Sequence, residues 1–95
     1  MAKPFPKHVW IGGEKFPVVF EKMDSHGEFR YEEKQIALSM DCKGKELAWE
    51  NLRHEMIHAA LYVSGVGFMK KYQEDPIVRC MDNVFFPAWD KLRKK

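Results

Sequence analysis

Hydrophobic and polar residues alternate over 28–31 and again over 35–40, and this is the period of a half-buried β-strand. Four short apolar-rich segments are predicted as strands: 8–11, 16–20, 28–31 and 35–40. Gly12-Gly13 is a strong hairpin signal between the first two segments, and Pro17 favours an edge position or a strand start. The pattern therefore predicts a small, mostly antiparallel sheet of three or four strands within residues 8–40.

The apolar spacing changes to the period of a helix between Lys45 and Ser64. Gly65 directly follows, and a glycine at this position typically adopts the left-handed conformation that ends a helix. Asp41 or Gly44 is placed to cap the start of the helix. We therefore predict one long helix over residues 45–64, whose apolar stripe needs the sheet to cover it.

A second helical spacing follows over residues 75–86. Asp75 before Pro76 has the pattern of an N-cap with proline at the first helical position. Pro87 is expected to kink or end this helix near Phe86, because proline lacks the N–H that a helix interior requires. The sequence thus predicts a second, shorter helix after the long one.

Strands in the first half and helices in the second half predict a single α+β domain over residues 1–95. The two prolines and two lysines of residues 1–7 predict a loose arm, and the basic residues of 90–95 predict a solvated tail. The sheet is expected to pack on the long helix and on the second helix.

Composition and charge argue against several classes of protein. The net charge of +2 gives no reason to expect a nucleic-acid or membrane-surface partner. No apolar stretch approaches the run of about 20 residues that crosses a bilayer, and Pro4 and Pro6 interrupt the place of a signal core. Cys42 and Cys80 lack a CxxC spacing and are expected to stay reduced. We therefore predict a soluble, cytoplasmic protein.

The candidate chemistry lies in His54-Glu55-Met56-Ile57-His58, within the long predicted helix. Residues four apart lie one turn above each other, so both imidazoles can bind one Zn²⁺ at nitrogen–metal distances of about 2.0–2.1 Å. Glu55 would then lie beside the metal as a general base. The alternative is a helix whose histidines simply face solvent or the core.

A catalytic zinc site normally takes three protein ligands and leaves one position for water. Glu74, Asp75 and Asp82 are the downstream candidates for the third ligand. Glu74 would point toward the core if the second helix begins a little early, whereas Asp75 is also explained as a cap. Asp82 is also explained as a residue beside the apolar stripe. All three are equally open to being ordinary solvated carboxylates, so the choice is left open.

Other polar residues have two interpretations each. Tyr62 lies four residues after His58, where its hydroxyl could stabilise an oxyanion, although such a tyrosine more often serves packing. His26 lies in a predicted loop and could approach an open cleft. Asn51 and Arg53 flank the motif and could orient the ligands through hydrogen bonds, or face solvent.

Taken together, the sequence resembles a minimal zincin over roughly residues 16–86. The resemblance rests on a Gly27-centred loop, the 36–38 strand, the 52–59 motif and the 74–78 segment. The most similar groups are the small SprT-like and ImmA/IrrE-like HExxH metallopeptidases of bacteriophages and prophages. The resemblance implies a gluzincin-type site with His54 and His58 as zinc ligands, Glu55 as base and Glu74 as third ligand. Pro76 departs from the family pattern, which more often has a helix former there.

The motif and the resemblance predict a zinc-dependent peptidase that acts on a peptide or protein substrate, with Glu55 as the proton carrier. The alternative is a non-catalytic, zinc-stabilised, phage-type protein that binds and modulates a host protein in the host cytoplasm. A metal-free interaction module or a weak nucleic-acid binder is the remaining interpretation.

Overall fold

The computed structural model describes residues 4–65 and 74–93, apart from the side chains of Glu74 and Arg93. The fold is α+β, with a four-stranded sheet followed by two helical segments, as the change of apolar period along the chain predicts. The strands are β1 (His8–Ile11), β2 (Glu14–Glu21), β3 (Gly27–Arg30) and β4 (Gln35–Ser39). The helices are α1 (Glu46–Ser64), α2 (Glu74–Cys80) and α3 (Phe86–Arg93).

The sheet has the strand order β1-β2-β4-β3 and is mixed, because its central pair, β2 and β4, runs parallel. The outer pairs β1–β2 and β3–β4 are antiparallel, so a mostly antiparallel sheet was the right expectation only for these pairs. The parallel pair arises because the chain leaves β2, forms the edge strand β3 and returns through β4 between them. Alternation along one strand specifies its faces but carries no information about the direction of its neighbour.

The β1–β2 hairpin is closed by two glycines, as predicted. Gly12 and Gly13 have positive φ angles of 57° and 83°, which the tight turn requires. A Cβ atom on Gly12 would lie 2.6 Å from Cγ1 of Val63, near the end of α1. The hairpin turn and the last part of α1 are therefore in close contact.

The two ends of α1 differ in how well they were predicted. Gly65 follows the helix at φ 81°, and its N–H donates to the carbonyl of Tyr62, which confirms the left-handed C-terminal glycine. At the start, the N-cap residue is Lys45, whose side chain makes no capping hydrogen bond. The prediction of Asp41 or Gly44 as the cap was wrong.

The core lies between α1 and one face of the sheet. Ala48, Leu52, Glu55 and Ala59 form the buried stripe of α1, with the three- and four-residue spacing of one helix face. The buried apolar cluster comprises Phe16, Val18, Ile36, Leu38, Cys42, Ala48 and Leu52. Glu55 is the one charged member of the stripe, so the helix brings a carboxyl group to the edge of an apolar core.

Residues 4–7 do not form the loose arm that was predicted. Phe5 packs against Phe20 and Trp49, with ring centroids 5.4 and 4.9 Å apart. Burial of this aromatic ring offsets the entropy lost when the segment is ordered. Residues 1–3 of the predicted arm lie outside the described residues.

The second helical segment, from α2 through α3, extends beyond the predicted 75–86. Residues Met81–Phe85 form a π-turn between the two helices, in which the N–H of Phe86 donates to the carbonyl of Met81. Pro87 therefore lies inside a helical segment, and the prediction that it ends the helix was wrong, whereas the alternative of a distortion near Phe86 agrees with the π-turn. Since proline cannot donate to the carbonyl four residues back, we attribute the wider turn to its presence.

The ends of this segment also differ from prediction. Asp75 lies inside α2 and is not the residue that caps it. Residues 90–93 of the predicted tail belong to α3, and residues 94–95 lie outside the described part of the chain.

The π-turn and α3 expose several large apolar side chains. Val84, Phe85, Trp89 and Leu92 are exposed to 65%, 49%, 46% and 63%. Within the described ranges, no helix is both long enough and apolar enough to cross a membrane.

Candidate metal centre

The two histidines of the motif lie one turn apart on α1, as their spacing predicts. The ring centroids of His54 and His58 are 5.1 Å apart and their planes are inclined by 63°. Two imidazoles that bind one tetrahedral Zn²⁺ through nitrogens at about 2.0–2.1 Å have centroids about 5 Å apart. The separation of the rings is therefore compatible with a shared ion.

Glu55 follows His54 in the chain, lies on the buried stripe of α1 and is only 6% exposed. Burial raises the pKa of its carboxyl group, and the neighbouring charges of His54 and His58 partly offset this increase. A Cβ atom placed on Gly27 would lie 3.4 Å from Cγ of Glu55, so the start of β3 passes close beside this side chain. The carboxyl group is thus held between α1 and the sheet, and its pKa is higher than that of an exposed carboxyl group.

Asp82 reaches this site from the π-turn. Its Oδ2 atom is in hydrogen-bond contact with Nδ1 of His54, and the two side chains are 22% and 39% exposed. Asp82 is one of the three acidic candidates for a third ligand, but the residues around it in the sequence do not indicate which side chain it contacts. The contact joins α1 to the second helical segment.

An open cleft of about 430 Å³ adjoins His54, Glu55 and Asp82. The loop before β3 forms part of its wall through Ser25 and His26, and Gly27 at the start of β3 continues it. The carbonyl of His26 accepts a hydrogen bond of 2.9 Å from the N–H of Ser39, which ties this loop to the end of β4. His26, expected from the sequence only as a loop residue that could approach a cleft, therefore lines the same cleft as the motif.

Asn51 and Arg53, which flank the motif, also line the cleft. Arg53 donates from Nη1 to Oδ2 of Asp90 at 3.3 Å, and its guanidinium lies 4.4 Å from the ring centroid of Phe86. Among the described residues, neither Nδ2 of Asn51 nor Nε of Arg53 has a hydrogen-bond partner, although both atoms are buried. Arg53 therefore connects α1 to α3.

Three predicted site residues remain, namely Tyr62, Asp75 and Glu74. Tyr62 is half-buried and packs against the rings of Phe29 and Tyr31, at centroid distances of 5.6 and 5.9 Å. Asp75 is exposed on α2. Glu74 is the first described residue of α2, so this helix does begin earlier than predicted, but its side chain lies outside the described atoms.

The donor set supplies two of the ligands that a zinc ion needs. Imidazole nitrogens are preferred zinc ligands, and the spacing of the His54 and His58 rings fits one ion. Among the side chains of residues 4–65 and 75–92, no group of three His, Cys, Asp or Glu is placed to hold an ion. Glu74 therefore stays the candidate for the third ligand, and its side chain lies outside the described atoms.

Comparisons of the chain with protein-family models, with curated proteins and with solved structures find no match. The resemblance to small zincins therefore stays a prediction.

Proposed function

We propose that this chain is a zinc-dependent peptidase in which His54, His58 and Glu74 hold the metal and Glu55 is the general base. The observation that carries the proposal is the buried Glu55 carboxyl, which is on the same helix as two imidazoles whose centroids lie 5.1 Å apart and which lines an open cleft together with His54. Helical histidines that merely fill space do not require a buried carboxyl group next to them. Burying a carboxyl group destabilises the folded state, and buried groups with a shifted pKa are frequent in catalytic sites.

The protein residues have separate tasks in this proposal. When bound, zinc supplies a Lewis acid that polarises the scissile carbonyl and lowers the pKa of a coordinated water to about 7. Glu55 accepts the proton of the attacking water on a carboxylate oxygen and delivers it to the nitrogen of the leaving amine. The raised pKa of Glu55 favours the first of these transfers, because the group binds a proton more readily than an exposed carboxylate does. The cleft beside the motif gives an extended peptide access to these groups.

The test of this assignment is Glu55→Gln, which keeps the shape of the side chain and removes its basicity. We expect the bound zinc per chain to equal that of the wild type, while the turnover of a broad peptide library falls by about 10²–10⁴-fold. Metal content is measured by elemental analysis of the purified proteins, and peptide products by mass spectrometry.

His54→Ala is the matched control on the same helix and should lose both the metal and the turnover. Full activity in Glu55→Gln would contradict the role of this residue. A wild-type protein that binds no zinc would contradict the proposal as a whole.

A second candidate is a non-catalytic, zinc-stabilised protein that binds and modulates a host protein. The exposed apolar row of Val84, Phe85, Trp89 and Leu92 favours it, because such side chains are frequent at protein interfaces. In this case Glu55→Gln should leave the biological effect intact, whereas His58→Ala should unfold the domain, because a structural metal supplies folding free energy. The cytoplasmic location predicted from the sequence is common to both candidates.

A further inference from the structure

We propose that Asp82 is a positioning residue, which accepts a hydrogen bond from Nδ1–H of His54 and so directs the Nε2 lone pair of this histidine to the metal. The part of the proposal that concerns the metal rests on the proposed function. The hydrogen bond itself does not, since it concerns two side chains of this chain only.

The protonation of the ring follows from the chemistry of the two groups. An ionised carboxylate only accepts hydrogen bonds, so a contact between Oδ2 of Asp82 and Nδ1 of His54 requires the proton on Nδ1. A neutral imidazole then has its free lone pair on Nε2. A carboxylate on the opposite nitrogen fixes the orientation of a metal-binding histidine and raises its basicity.

The same geometry argues against Asp82 as the third metal ligand. Its Oδ2 atom is engaged at Nδ1, which faces the other side of the ring from Nε2. A carboxylate oxygen that binds zinc lies about 2.0–2.2 Å from the ion, and an oxygen held at Nδ1 cannot reach an ion on Nε2. Of the three acidic candidates from the sequence, Asp82 is therefore the one that acts through His54.

The backbone around Asp82 supports a functional role. Asp82 is the second residue of the π-turn Met81–Phe85, and π-turns inserted into α-helices occur frequently at functional sites. At 22% exposure the carboxylate is partly shielded from water, which strengthens a hydrogen bond to an imidazole. Asp90, eight residues later on α3, provides a comparison, because it is more exposed and pairs with Arg53 instead.

The first measurement determines the tautomer of His54 in the metal-free protein. Long-range ¹H–¹⁵N NMR spectra are recorded well above the ordinary histidine pKa of about 6.5, so that the ring is neutral. We expect the Nδ1–H form in the wild type and in the control Asp90→Ala. We expect Asp82→Ala to change to the Nε2–H form that an isolated imidazole favours. Asp82→Asn retains an oxygen acceptor and should keep the Nδ1–H form.

The second measurement is zinc affinity by competition with a chelator. Asp82→Ala should bind zinc about 10–100-fold more weakly, Asp82→Asn should fall between it and the wild type, and Asp90→Ala should be unchanged. An Nε2–H ring in the wild type overturns the proposal, and this result is available even if Asp82→Ala fails to fold. An unchanged tautomer in Asp82→Ala also overturns it, and complete loss of zinc in that case would make Asp82 a ligand. If the wild type binds no zinc, the proposed function fails, and the tautomers still decide the role of Asp82.

Discussion

At the scale of single residues, Gly27 determines how closely β3 approaches the neighbouring strand and α1. A Cβ atom there would lie 2.9 Å from the carbonyl oxygen of Ala37 and 3.0 Å from Cδ2 of Leu38. It would also lie 3.4 Å from Cγ of Glu55. Backbone on one side and two packed side chains on the other leave no space for a methyl group, so a larger residue must displace its neighbours.

We therefore expect Gly27→Ala to lower the free energy of unfolding by about 1–3 kcal/mol, because it overpacks the contact. It should also lower turnover per folded molecule, since β3 must shift to relieve the 2.9 Å contact with Ala37, and the start of β3 lies against Glu55. Urea denaturation measures the first effect, and peptide hydrolysis at matched folded fraction measures the second.

Gly44→Ala is a suitable control for this substitution. Gly44 has a φ angle of 80° and nothing within 4 Å of an added Cβ atom, so the strain there is confined to the backbone. The control should lose stability without loss of activity per folded molecule. Equal activity in Gly27→Ala and the wild type would show that this contact does not position Glu55.

The relative positions of side chains on one helix could be predicted from the sequence, whereas contacts between side chains on two different elements could not. The placement of His54 and His58 on one face follows from helical spacing alone. The meeting of Asp82 with His54 depends on how α2 lies against α1, and neighbouring residues do not specify that. For the same reason, His26 could be assigned to a loop but not to the wall of a particular cleft.

At the scale of secondary-structure elements, the π-turn before α3 controls the direction of Asp82. The wider turn changes the angular position of every residue on its N-terminal side relative to α3. Asp82 lies in this turn and contacts α1, while Asp90 in α3 contacts Arg53 on the same α1 helix. The turn therefore lets one helical segment make two polar contacts with α1.

We expect Pro87→Ala to weaken zinc binding, because a residue with an N–H allows a regular α-helix and thus turns Asp82 away from His54. The helix itself should not become less stable, since alanine is favoured over proline in a helix interior by up to about 3 kcal/mol. Circular dichroism measures helicity, and chelator competition measures zinc affinity.

Pro76→Ala serves as the comparison, because Pro76 lies near the start of α2, where a missing N–H matters less. An unchanged zinc affinity in Pro87→Ala would show that the π-turn does not depend on this proline.

The elements with local signals were predicted well. The Gly12-Gly13 hairpin and the Gly65 helix end are set by backbone conformations that few residues other than glycine adopt. The helical path through Pro87 was missed because a π-turn restores the helix without a distinctive residue pattern. The parallel β2–β4 pair was missed because it joins segments separated by β3.

At the scale of the whole molecule, the candidate metal centre joins the two helical segments. α1 and α2 are in contact, and the proposed ligands come from both, with His54 and His58 on α1 and Glu74 on α2. A ligand that binds only the folded state stabilises it by about 2.7 kcal/mol at a free concentration of 100 Kd. Zinc should therefore act on the stability of the entire domain.

We expect saturating zinc to raise the melting temperature of the wild type by roughly 10 °C or more, given the small size of the domain. A chelator should reverse the increase. Differential scanning calorimetry measures the change, with His54→Ala as the variant that should not respond. A similar increase in His54→Ala would show that zinc binds elsewhere.

The α+β class was predictable because it depends only on the order of two apolar periods along the chain. The packing of Phe5 against Trp49 was not predictable, because two prolines flank Phe5 and a proline-rich segment favours an irregular arm. The arm is ordered by a contact with Trp49, which lies more than forty positions away in the sequence. Such a contact forms only when the whole domain is folded, so the residues next to Phe5 do not indicate it.

The buried stripe of α1 ties the position of Glu55 to the integrity of the core. Ala48, Leu52 and Ala59 anchor the interior from the same face that carries Glu55. If Glu55 has the proposed role, its carboxyl group would therefore lose its position whenever the core opens. Partly unfolded copies would then not hydrolyse peptides, and the proposed activity would be confined to folded molecules without a separate inhibitor.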